Sequence, residues 1–301
     1  MTPSNLIVLH APTWDIARVL RPDLTIEAEY GDHVATGRLY TAAHHQPRGP
    51  YAGRHIVEGG RPSPCNDTDI PVLEDGGMIL LSHLDLDSVG GTLRAMPGTA
   101  DLFSEATFWQ LAEYADTHAP HLLHRCSFRD EDVTRFWAYH EWLRHQPRLP
   151  MDVASLVHVE VSEARKVLEG ILAGEPALLT LGETLKAHDA EMTVSSFVFA
   201  SDGVILRHYD NPSDFVNHLY LDPRGNEHAA IVAWNRTTGS VTVSLSEPSK
   251  HPGVNCRDIV QSLWGPAAGG HPGCAGGPRG VRLGFGEADR AVRTMQELLR
   301  A

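Results

Sequence analysis

The spacing of apolar positions along this 301-residue chain changes several times, and each change predicts a different kind of element. Residues 5–10 and 24–42 carry short apolar runs that predict short strands, with YGDH at 30–33 turning a hairpin between TIEAE and VATGRLYTA. MILL at 78–81 is continuously apolar, as in a strand buried on both faces. From 99 to 147 the pattern is mostly helical. SEARKVLEGILAGEPALLTLGETLKAH at 162–188 predicts two helices broken at Gly174 to Pro176, because proline begins a helix more readily than it continues one. Beyond Met192, β-branched runs return in SSFVFA, GVILRHY, HAAIVAW and SVTVSLS, separated by glycine, asparagine and proline turns. A helix over 256–263, a strand near 281–285 and a helix over 287–300 follow, the last with Ala291, Met295, Leu298 and Leu299 on one face.

Residues 44–76 are loop-rich. CNDTDIP at 65–71 holds an Asp-x-Asp pair, Asp67 and Asp69, but Pro71 follows it and no strong strand precedes it, so a turn is expected. His44 and His45, in AAHHQPRGPYAG, read as surface loop histidines. A content of 42% hydrophobic and 21% charged residues suits a soluble globular chain with room for two cores. Its 25 basic against 38 acidic residues, formally −13, argue against a surface that tracks long nucleic acid, while leaving room for a short nucleotide or phosphorylated metabolite. Cys65, Cys126, Cys256 and Cys274 are far apart and form no Cys-x-x-Cys pair, which fits a reduced, cytoplasmic setting. MTPSNLIVLHAPTWD lacks a basic segment followed by a long apolar stretch, and no run approaches the ~18 apolar residues of a membrane span, so no membrane association is expected.

Chemistry enters with SHLDLDSVGG at 82–91, where His83, Asp85 and Asp87 stand directly after the MILL strand and directly before a glycine-containing helix start. Carboxylate oxygens and a neutral imidazole suit divalent manganese, magnesium or zinc, and a strand end fixes their direction. The same residues also suit an aspartate-rich turn that caps a helix, with Asp87 or Ser88 as N-cap. Three ionisable groups within five residues at a buried strand end repel and desolvate one another unless a cation sits among them. Near the other end, GPAAGGHPGCAGGPRG at 265–280 gathers glycines around His271. Amides around Gly269 and Gly270 can approach an anion closely, and Arg279 can add a charge-assisted contact; a surface loop is the plainer alternative. Cys274, in the same run, has no identified base partner and reads as a small filler.

Together these stretches resemble the DHH phosphoesterase superfamily with its associated C-terminal domain. NCRDIVQSLWGPAAGGHPGCAGG at 255–277 is similar to that family's helix followed by its substrate-binding GGGHPxAAG loop. SHLDLDSVGG is similar to the family's first motif, a histidine, an Asp-x-Asp pair and a small helix start. The chain departs from the pattern in three places. Only Leu84 separates His83 from Asp85, where the family has three residues; the first motif lies some 75 residues later than usual; and the Asp-His-His triplet is absent. ADTHAPH offers Asp116, His118 and His121 as substitutes, FWAYHEWL offers His140, and Asp189 stands where the last metal-binding aspartate is expected. Asp116 and His118 equally suit the last turn of an amphipathic helix ending near Pro120, and His140, among Phe136, Trp137, Tyr139 and Trp142, suits a hydrogen-bonded core histidine.

The resemblance implies an α/β fold, with a parallel-sheet metal-binding domain over 1–160 that carries an atypical N-terminal segment. A helical connector over 161–190 and a smaller α+β domain over 191–301, holding the glycine-rich loop, complete it. It further implies a phosphoesterase acting through a metal-activated water on a small nucleotide, a short oligonucleotide or a phosphorylated metabolite. One or two manganese ions would be held by His83, Asp85, Asp87, Asp116, His118, His121 and His140, with Asp85 and Asp87 catalytic, and substrate phosphate by Gly269, Gly270, His271 and Arg279. A non-catalytic nucleotide or phosphate sensor on the same scaffold, and a metal hydrolase of a non-phosphate bond, are the alternatives. A homodimer stays open.

Overall fold

The structure, a computed structural model, describes residues 5–30, 33–43, 62–118, 120, 123, 126–247 and 250–301. Its strands are β1 (Ile7–His10), β2 (Leu24–Ile26), β3 (Glu29–Tyr30), β4 (His33–Val34), β5 (Tyr40–Ala42), β6 (Met78–Leu81), β7 (Ser155–Leu156), β8 (Phe197–Ser201), β9 (Val204–Tyr209), β10 (Ala230–Asn235), β11 (Val241–Leu245), β12 (Gly269–Gly270) and β13 (Cys274–Gly276). The helices are α1 (Trp14–Ala17), α2 (Leu86–Arg94), α3 (Ala106–His118), α4 (Asp130–Arg144), α5 (His158–Leu172), α6 (Pro176–Ser195), α7 (Cys256–Trp264) and α8 (Phe285–Arg300). The fold is mixed α/β and falls into two compact units, one of Met1–Glu113 with Phe128–Glu183 and the other of Tyr114–Ser127 with Thr184–Ala301. Helices α3 and α6 each contribute residues to both.

The first unit is built on a sheet of order β5-β2-β6-β1-β7, parallel throughout except for β7, which runs antiparallel to β1 at one edge. MILL is the middle strand, as its unbroken apolar character predicts: Ile79, Leu80 and Leu81 are inaccessible to solvent, as are Leu24 and Ile26 beside them. The hairpin read from the sequence is confined to β3 and β4, while β2 and β5 pair in parallel, so TIEAE and VATGRLYTA do not form one long hairpin. Parallel strands need a crossover connection between them rather than a tight turn. Asp69 N–H donates to Asp67 Oδ1, closing the turn expected at 65–71. His44 and His45 lie outside the described residues.

Helix α2 follows β6 after four residues and packs tightly. A Cβ added to Gly91 would stand 2.6 Å from Pro64 Cβ and 2.9 Å from Ile26 Cγ2; at Gly90 it would stand 2.6 Å from Cys65 Cβ. Pro176 opens α6 and Gly174, at φ +80°, ends the turn before it, as the sequence break predicts.

The second unit carries a sheet of order β12-β13-β11-β10-β9-β8, in which β9 and β10 are parallel and the other pairs antiparallel. One face packs Val204, Leu206, Val232 and Val243 against Ile259 and Val260 of α7 and Ala291 and Met295 of α8; the other packs Ile205 and Ile231 against Val216 and Tyr220. The strand expected near 281–285 does not form. Gly277, Pro278 and Gly280, the last at φ +74°, interrupt the chain; Leu283 N–H makes a single backbone bond to Gly239 C=O, and α8 starts at Phe285. Among the described residues no helix is long and apolar enough to cross a membrane.

The close packing of α2 gives a direct test: Gly91→Ala should destabilise the protein by about 1–3 kcal/mol through overpacking, read as a lower urea midpoint with an unchanged slope.

Candidate metal centre

Parallel strands place all their carboxyl ends along one edge, which is where α/β sheets hold ligands. In the first unit Leu81 of β6 is flanked in register by His10 of β1 and Ile26 of β2, so the residues just beyond, Ser82, His83 and Glu27, emerge together. His83 Nε2 lies 2.9 Å from Asp85 Oδ2 and 3.1 Å from Glu27 Oε2. Donor atoms of Glu27, His83 and Asp85 all fall within 4.8 Å of one another. Ligands about 2.0–2.2 Å from a cation stand roughly 3–4.4 Å apart, so one nitrogen and two carboxylate oxygens in this arrangement fit a divalent ion.

Each donor is fixed by its local chain. Glu27 is buried and holds φ at +46°, a left-handed conformation that costs a non-glycine residue of the order of 1–3 kcal/mol. Its N–H donates to Ala42 C=O at 2.8 Å, and its C=O accepts from Glu29 N–H at 2.8 Å and from the Ser82 hydroxyl. Because that hydroxyl spends its single hydrogen on Glu27, it accepts at 2.8 Å from His83 Nδ1, which therefore carries a proton and leaves Nε2 facing the two carboxylates. Asp85 divides its oxygens: Oδ1 accepts from Ser88 N–H at 2.8 Å as N-cap of α2, Ser88 Oγ accepts from Asp85 N–H at 3.0 Å, and Oδ2 faces His83. The N-cap is thus Asp85 rather than Asp87 or Ser88, and the residue that caps α2 is also one of the three donors. Asp87 sits in the first turn of α2, buried, with Oδ1 accepting from Cys65 N–H at 2.9 Å, and presents a carboxylate oxygen within 4.8 Å of one from Glu27.

Burial works to lower the His83 pKa, but the charge and hydrogen bond of Asp85 and then the hydrogen bond and charge of Glu27 outweigh it and raise it to about 10. In the metal-free protein the imidazolium takes the place of a cation between two carboxylates. Tyr139 of α4 is fully buried; burial first, then the charge of Asp85, pushes its hydroxyl up, and that hydroxyl has no hydrogen-bond partner among the described residues.

His140 packs against the Phe136 ring, centroids 4.3 Å apart, and belongs to none of the donor groups found among the described residues. The His118 side chain and the whole of His121 lie outside the described residues. Asp189, on α6 in the second unit, pairs with His218 Nε2 at 2.8 Å. Also in the second unit, Asp116 Oδ2 lies 3.6 Å from His271 Nε2, so a residue read as a metal ligand and one read as a phosphate contact stand together.

The glycine-rich run is more ordered than a loop. Gly269 and Gly270 form the edge strand β12 against β13, and since successive residues of an antiparallel pair turn their polar groups alternately inward and outward, only part of this backbone is left for an anion. Gly270 needs to be glycine: its φ is +138° and a Cβ would stand 2.6 Å from Cys274 O. His271 N–H donates to Cys274 C=O at 2.7 Å, closing the turn that presents the imidazole, and Arg279 is exposed in the turn after β13. Burial pushes the Cys274 thiol up, against a 3.3 Å hydrogen bond from Asn217, which suits a filler better than a nucleophile.

Sequence reasoning missed Glu27. The available signal was an acidic residue directly after a short apolar strand, the same arrangement that drew attention to His83.

No family model and no curated protein matches this chain. Among solved structures it is similar to a pGpG-specific phosphodiesterase, PggH from Vibrio cholerae, at a TM-score of 0.37 and 10% identity, covering 76% of this chain and 80% of that one. It is also similar to an uncharacterized protein from Helicobacter pylori G27, at a TM-score of 0.21 and 14% identity, covering 71% of this chain and 60% of that one.

A histidine whose pKa is raised on folding stabilises the protein fully below its unfolded value, about 6.5, and loses that contribution as pH rises through the folded value. The metal-free protein should therefore become steadily less stable between about pH 6.5 and about 10, as His83 gives up its proton. Thermal unfolding across this range should show the decline, and His83→Gln should flatten it.

Proposed function

We propose that this protein is a divalent-metal-dependent phosphoesterase acting on a small nucleotide, a short oligonucleotide or a phosphorylated metabolite. The observation that carries the proposal is the convergence of Glu27, His83 and Asp85 at the carboxyl edge of a parallel sheet. A divalent cation bound there, manganese in this reading, supplies a water acidified for attack and positive charge against a phosphoryl group. Glu27 and Asp85 contribute charged oxygens, His83 contributes Nε2 because Ser82 holds Nδ1, and Asp87 adds a further carboxylate near Glu27.

The second unit supplies the anion contacts in this reading. Asp116 orients the His271 ring, and the outward backbone of β12 with Arg279 can meet phosphate oxygens. In this reading the unit of Met1–Glu113 with Phe128–Glu183 is the metal-binding part and the unit of Tyr114–Ser127 with Thr184–Ala301 the substrate-binding part. The net charge of −13 favours a small substrate over a long polyanion.

Metal content of the purified protein and manganese-dependent hydrolysis of bis-nitrophenyl phosphate, nucleotides and short oligonucleotides test the proposal. Metal with turnover supports it, metal without turnover favours a sensor, and no metal reduces the segment 83–87 to a capped turn. Glu27→Gln or Asp85→Asn should lose metal and more than about 100-fold in kcat. Asparagine caps a helix as well as aspartate does, so a fall in the unfolding temperature of Asp85→Asn would report the charge lost beside His83 rather than a lost cap. His271→Ala should raise KM while leaving metal content unchanged.

A further inference from the structure

At the opposite end of α2 from Asp85, the chain opens into a groove of about 490 Å³ lined by Arg94, Phe103, Asp67, Ile70, Met96 and Ala100 among others. Its volume lies within the range of roughly 300–1,000 Å³ typical of small-molecule sites. Arg94 is the last residue of the nine-residue helix, so the groove stands roughly 13 Å along the helix axis from the capping end. The Arg94 guanidinium lies over the Phe103 ring, 4.0 Å from its centroid, and its Nε donates to Cys65 C=O. Those two contacts lock the guanidinium plane. Its two terminal amino groups have no hydrogen-bond or ion-pair partner among the described residues, although the side chain is half-buried.

An arginine at a helix C-terminus commonly serves the helix dipole alone. Here the fork is stacked, tethered through Nε and left with two parallel donors beside an apolar wall, which is the geometry that receives a carboxylate with two hydrogen bonds. Charge narrows the choice of anion. Asp67, only 4% exposed and lining the same groove, accepts hydrogen bonds from Tyr40 Oη and Asp69 N–H, so its oxygens are held in place beside Arg94. Asp67 already offsets part of the Arg94 charge, so a ligand with one negative charge is repelled less in this groove than a ligand with two. We propose that this groove is a ligand site for a small organic carboxylate with an apolar body, the carboxylate on Arg94 and the body against Phe103, Ile70 and Met96.

The test is calorimetric titration of the full chain, freed of metal by chelation, with benzoate, benzamide and phenyl phosphate. Benzoate should saturate one site, benzamide should not bind detectably, and phenyl phosphate should bind more weakly than benzoate. Arg94→Lys, which keeps the charge but loses the fork, should weaken benzoate at least about tenfold. Because Arg94 also holds the Cys65 carbonyl, Ala100→Trp serves as the second variant: it fills the groove from an exposed wall position, and should abolish benzoate binding with the unfolding temperature unchanged. Absence of benzoate binding, tighter binding of phenyl phosphate, or full benzoate affinity in Ala100→Trp would each overturn the proposal.

Discussion

The parallel registration of β6 between β1 and β2 is the constraint on which the first unit depends. Side chains separated by more than fifty residues of sequence reach one point only because Leu81 pairs with both His10 and Ile26. Burial of Leu24, Ile26, Ile79, Leu80 and Leu81 supplies the driving force, and it is non-directional; the hydrogen-bond ladder turns it into a defined position for Glu27 and His83. Two carboxylates and an imidazole at a buried strand end are costly on their own terms, and the cost falls when a proton or a cation is held among them.

The donors of the first unit are held by hydrogen bonds within the protein itself. Ser82 fixes the tautomer of His83 and ties it to the Glu27 backbone, while the α2 cap fixes one Asp85 oxygen and thereby aims the other. Site and scaffold use the same hydrogen bonds. The glycine-rich segment of the second unit follows a similar economy, since the β12–β13 pairing that orders the sheet edge also turns His271 toward Asp116.

Much of the fold was legible because it is local. MILL, the break at Gly174 to Pro176 and the β-branched runs beyond Met192 declare themselves by period and by proline, and they appear as β6, as α5 with α6, and as β8 to β11. What failed was decided by distant pairing. The stretches around β2 and β5 carry the same local pattern whether they pair as a hairpin or in parallel, and the segment 281–285 looks strand-like until interruptions at Gly277, Pro278 and Gly280 leave it without a ladder. The site was half legible for the same reason. His83 and Asp85 are neighbours in sequence, whereas Glu27 joins them only through the sheet.

Because side chains on a strand alternate between faces, the strand end also works as a phase marker. Deleting one residue within β6 would leave an apolar segment able to sit in the same layer, yet would put His83 in the place of Ser82 and Leu84 in the place of His83, whereas an insertion would put Ser82 in the place of His83. The sheet tolerates such a slip better than the centre does, so the stretch from 78 to 85 keeps its length for reasons of geometry even where its hydrophobic residues are interchangeable.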